Sequence, residues 1–61
     1  MFIKTESGFI FGSRDPNRTL RVICKEYLGV RPTKRAMRNA HLALKHFNAI
    51  STGMTTLTLV R

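Results

Sequence analysis

Hydrophobic and polar positions alternate with different periods along the chain, and the changes of period mark its elements. FIKTESGFIFGS, residues 2–13, sets two short runs of aromatic and β-branched residues around Glu-Ser-Gly. That is the composition of a β-hairpin, with Gly8 supplying the positive φ that a tight turn demands. Strands are expected near 2–5 and 9–12. Asp15-Pro16 then reads as an N-cap followed by proline at the first helical position, where its missing N–H costs nothing. Along the helix that follows, Leu20, Ile23, Cys24, Tyr27 and Leu28 recur at the spacing of one buried face, and Gly29 stands where a C-terminal cap belongs. Arg18, Arg21 and Lys25 fall on the solvent side of that helix.

After Val30-Arg31, Pro32 or Thr33 opens a second helix. Its apolar positions Ala36, Met37, Ala40, Ala43, Leu44 and Phe47 again describe a single face, and it is expected to end between Asn48 and Ile50. Ser-Thr-Gly at 51–53 breaks the pattern. MTTLTLVR alternates at period two, so Leu57 and Leu59 are predicted to face inward on a final strand. The order is ββααβ: one α+β domain over residues 1–61, with a three-stranded antiparallel sheet and both helices packed on one face.

Charge changes this picture most. Eleven Lys and Arg stand against Glu6, Asp15 and Glu26, a net charge of +8. Self-repulsion on that scale opposes the compact state and points to a polyanionic partner: nucleic acid, an anionic membrane surface or an acidic protein. On the second helix Lys34, Arg38, His41 and Lys45 recur at intervals of four, three and four, which gathers them into one stripe. Like charges so spaced destabilise a helix by roughly a few tenths of a kcal/mol per pair, so intrinsic helix stability is not their use. Arg31 and Arg35 add to the stripe, as do Arg18, Arg21 and Lys25 from the first helix. Together these nine residues, Arg18, Arg21, Lys25, Arg31, Lys34, Arg35, Arg38, His41 and Lys45, are the candidate nucleic-acid-binding set. If six to eight cations met phosphates, log K would fall with log salt at a slope of roughly −5 to −7.

The helix–Gly–helix segment LRVICKEYLGVRPTKRAMRNA invites comparison with a helix-turn-helix. Pro32 beside the turn, and Arg35 and Arg38 where that motif buries aliphatics, count against it. Asn39 and Asn48 are candidates for reading base edges, although Asn is also common on exposed helices and near helix ends. Phe2, Phe9 and Phe11 could stack bases, but a chain this short needs its phenylalanines in the core, which is the stronger expectation.

The remaining chemistry is sparse. Cys24, His41 and His46 are too scattered for a structural zinc site, and Cys24 reads as a small buried hydrophobe. No acid pair, phosphate-cradling glycine loop or activated nucleophile is present, so neither catalysis nor a cofactor is expected. A lone cysteine favours an intracellular setting. With no signal peptide and no apolar run near the roughly 20 residues that cross a bilayer, a cytoplasmic, membrane-free protein is expected. The leading expectation is a small regulatory protein that binds nucleic acid, DNA ahead of RNA, through its cationic helix. The alternative is an accessory or inhibitor protein, of the kind bacteriophages and prophages encode, that docks on an acidic surface of a larger polymerase or nuclease. A homodimer is also plausible, since pairing would enlarge a marginal core.

Overall fold

In a computed structural model, which describes residues 1–61, the chain forms β1 (Phe2–Lys4), β2 (Ile10–Gly12), α1 (Pro16–Val22), a π-helical segment (Ile23–Leu28), α2 (Lys34–Phe47), β3 (Ala49–Ser51) and β4 (Thr56–Val60). The α+β class stands, but the order is ββααββ and the sheet has four strands rather than three. The extra strand is β3, in the stretch the helical period had absorbed. Asn48 adopts a left-handed conformation, φ 63°, and its N–H donates to the Leu44 carbonyl, which stops α2 and turns the chain into an extended run. Ala49, Ile50 and Ser51 then pair with Thr58, Leu57 and Thr56 of β4. Thr52 closes this second hairpin: its Oγ1 accepts the N–H of Met54 and Thr55 and donates to the Thr55 carbonyl.

All pairings are antiparallel and the strand order is β2-β1-β4-β3, so two hairpins meet through β1 and β4. At the first turn Gly8 takes φ 93° as the hairpin requires. Gly12, at φ 138°, lies against the N-terminal strand: a Cβ there would sit 2.3 Å from the Met1 carbonyl oxygen.

Local capping sets the helix starts. Asp15 accepts the Asn17 N–H through Oδ1 at 3.0 Å, with Pro16 at the first helical position. Thr33 accepts the Ala36 N–H through Oγ1 at 3.1 Å and caps α2. The first helical stretch is not α-helical throughout. From Ile23 the turns widen to π geometry, and the stretch ends on left-handed Gly29, whose N–H, like that of Val30, reaches the Cys24 carbonyl.

The core is made of Ile3, Leu20, Ile23, Ala40, Leu44 and Leu57, all nearly or wholly inaccessible, with Cys24 buried beside them. Ile3, Phe11, Ile50, Leu57 and Leu59 line the inner face of the sheet beneath the helices, as period-two alternation through the register dictates. The phenylalanines depart from the expected core. With Ile3 turned in, Phe2 is turned out and 44% exposed, and Phe9 is 60% exposed. Phe11 is half-buried and stacks on Tyr27, centroids 5.0 Å apart and planes 9° apart. Phe47, expected on the buried face of α2, is 79% exposed, because the helix outruns the core at its last turn.

Candidate functional site: a cationic groove between the helices

At about 100° per residue, Lys34, Arg38, His41 and Lys45 fall within about 60° of one another on α2. The structure seats this stripe along one wall of an open groove of about 620 Å³ between α2 and α1. Arg21 and Asn17 of α1 form the facing wall. Leu20, Met37 and Leu42 are its apolar lining, with Leu20 almost wholly buried, and Pro32 lines it too. The five basic side chains, Arg21, Lys34, Arg38, His41 and Lys45, are all exposed.

These cations are not tied up internally. Across the molecule's side-chain hydrogen bonds the one cationic side chain in use is Arg61, which donates Nε–H to Asn48 Oδ1 at 3.1 Å, away from the groove. The Asp15 carboxylate accepts the Asn17 backbone N–H and serves as a cap. The first turn of α2 holds Lys34 and Arg35 and no acid, the wrong sign for the positive end of a helix dipole. That placement costs helix stability.

Not all nine candidate residues gather here. Arg18 lies on another flank of α1, lining a hollow with Phe11, Thr19 and Val22. Lys25 is exposed on the π-helical segment, Arg31 is exposed in the interhelical link, and Arg35 points about 100° away from Lys34 around α2. The expected ridge is therefore narrower than the candidate set, and its centre is concave. Asn17 and the apolar strip Leu20, Met37 and Leu42 are site residues that the charge pattern alone did not mark. The one legible signal was Leu42, an aliphatic side chain set between His41 and Ala43 on the polar side of the helix and 41% exposed.

Asn39 and Asn48 have separate surroundings: Asn39 lies on the opposite flank of α2 and Asn48 is the helix C-cap bonded to Arg61. The Cys24 side chain is inaccessible, and burial pushes its thiol pKa up, the environment of an unreactive cysteine. No three of the His, Cys, Asp and Glu side chains come together in a way that could hold a metal ion. No helix is long and apolar enough to cross a membrane. Comparison with protein-family models, curated proteins and solved structures finds no match.

Proposed function

We propose that the protein binds nucleic acid, DNA ahead of RNA, through the phosphate backbone, with the α1/α2 groove as its contact surface. The observation that carries this reading is the convergence of Arg21, Lys34, Arg38, His41 and Lys45 on one groove, without a bonded carboxylate, in a chain of net charge +8. Each permanently charged side chain that displaces counterions from phosphate contributes a fixed increment to the salt dependence. Four such residues in the groove correspond to a slope of log K against log salt of about −4, shallower than the whole candidate set would give. Arg18, Lys25, Arg31 and Arg35 act at longer range, raising encounter rates rather than fixing the complex.

The apolar strip Leu20, Met37 and Leu42 favours a second reading. A groove with cationic walls and aliphatic surface within it also fits an acidic amphipathic helix, whose apolar side chains would seat on that surface while its carboxylates meet the walls. The protein would then be an accessory or inhibitory partner of a larger protein such as a polymerase or nuclease. One titration separates the two: fluorescence anisotropy of a labelled random duplex and of a labelled acidic amphipathic peptide, each at about 50 and about 200 mM salt. Micromolar duplex binding with a slope near −4 supports the nucleic-acid reading. Peptide binding with a shallow slope, beside weak duplex binding, replaces it with the second.

A further inference from the structure

The opposite flank of α2 carries a feature that polyanion binding does not use. A hollow of about 350 Å³ opens between α2, the π-helical segment and the interhelical link, lined by Leu28, Val30, Ala36, Ala40, Ala43 and Ile50, with neutral Asn39 at its side. No charged residue lines it, in a chain where 23% of residues are charged. Phe47 follows Ala36, Ala40 and Ala43 on the same face of the helix, yet it does not line the hollow and is the most exposed large apolar side chain of the molecule. One surface thus presents both an unfilled apolar recess and an unburied phenyl ring.

We infer that this flank is a self-complementary docking surface for a second copy of the chain, with Phe47 of each copy seated in the hollow of the other. Twofold pairing requires that if one residue meets another, the reverse contact also forms. Antiparallel packing of two α2 helices meets that condition. Setting Phe47 opposite the second copy's Ala36 brings the half-buried Ala36 and Ala43 to the seam, small side chains that let the helices approach, while each ring enters a recess floored by buried Ala40. Electrostatics select the same flank. Two chains of charge +8 repel, and pairing through the groove flank would oppose the five basic side chains gathered there. The hollow flank brings uncharged linings together and leaves both grooves facing away.

The two rings bury about 300–500 Å² between them. Adding the walls of the recesses keeps the interface below standard size, so the dimer is weak, with Kd on the order of 10–100 µM. Its salt response is opposite in sign to that of polyanion binding: screening the +8 charges tightens the dimer. This inference stands independently of what the groove binds.

Sedimentation velocity of the full chain from about 10 µM to about 1 mM, at low and high salt, tests it over the range around that Kd. The expected result is a monomer–dimer equilibrium that tightens with salt, weakened at least about tenfold by Phe47→Ala, as for loss of a buried aromatic anchor. Val30→Glu, at the exposed rim of the hollow, gives the same loss, and both variants keep the wild-type circular dichroism and melting curve. Arg38→Ala leaves the equilibrium no weaker. A chain that stays monomeric across the range overturns the proposal. So does a dimer unmoved by Phe47→Ala but broken by Ile10→Glu, which would place the contact on the outer face of the sheet, where Phe2, Ile10 and Val60 are exposed.

Discussion

Helix α2 carries two stripes of identical spacing, two residues out of phase. Lys34, Arg38, His41 and Lys45 run along one flank; Ala36, Ala40, Ala43 and Phe47 run along the other. Two residues correspond to about 200° of rotation, so the stripes stand nearly back to back, with Met37 and Leu44 between them on the side facing the core. The first stripe lines one recess and the three alanines of the second line another, but the recesses differ in kind. One has cationic walls with no carboxylate to answer them, and the other is apolar with no charge at its lining. A narrow buried strip of Ala40, Leu44 and partly buried Met37 anchors the helix, which leaves the rest of both flanks exposed. Under the two proposals salt separates them, since screening should weaken polyanion contacts on the first flank and strengthen self-association through the second.

The largest effect is expected from removing the anchor that both flanks share. Leu44 is fully inaccessible, and Leu44→Ala should cost about 2–5 kcal/mol, comparable with the whole stability of so small a domain. Circular dichroism melting should show a lowered or lost transition, with both surfaces abolished together. Next comes the double variant Arg38→Ala with Lys45→Ala. Under the proposed function, duplex affinity should fall about 10- to 100-fold near physiological salt and the salt slope should shrink by about two units. In the same anisotropy assay Arg18→Ala with Lys25→Ala, outside the groove, should lose far less. An equal loss from both pairs would dissolve the distinction between groove and general surface charge.

Smaller again is Thr33→Ala, which removes the Oγ1 acceptor for the Ala36 N–H and should cost about 1 kcal/mol. Chemical denaturation should register it, and both flanks should weaken alike because the helix starts from that one cap. The smallest effect concerns Cys24. Burial raises its thiol pKa, so the native state holds its proton where the unfolded chain has begun to lose it. Stability is therefore unaffected below the ordinary thiol value of about 8.5 and falls as pH rises from there toward the raised folded value. Denaturant midpoints measured across that alkaline window should decline for wild type, and Cys24→Ala should remove that part of the decline.

The parts of this molecule that were legible in advance are those governed by neighbours a few residues apart. The Asp15-Pro16 start, the Gly29 stop, the Gly8 turn and the Leu20, Ile23, Cys24 face each follow from backbone geometry or helical period, and each stands in the structure. The cationic stripe was legible for the same reason. β3 was missed because three residues are too few to show a period, and because its cause, a left-handed Asn48, is a single conformational choice. The π-helical widening was missed because the apolar spacing through Leu28 suits an α-helix equally well.

The chain's local order therefore sets which segments are helix or strand, how the helices begin, and the collinearity of Lys34, Arg38, His41 and Lys45. Packing decided what those cations face. Arg21 and Asn17 stand opposite them only because α1 docks beside α2, and Leu42 joins them because the core claims Leu44 instead. Packing likewise left Phe47, Phe2 and Phe9 outside, since the space between sheet and helices is filled by Ile3, Leu20, Ile23, Ala40, Leu44 and Leu57 before a phenyl ring can enter. Hydrophobicity favours burial of every apolar side chain. The volume enclosed by four short strands, two α-helices and one π-helical segment limits how many can have it.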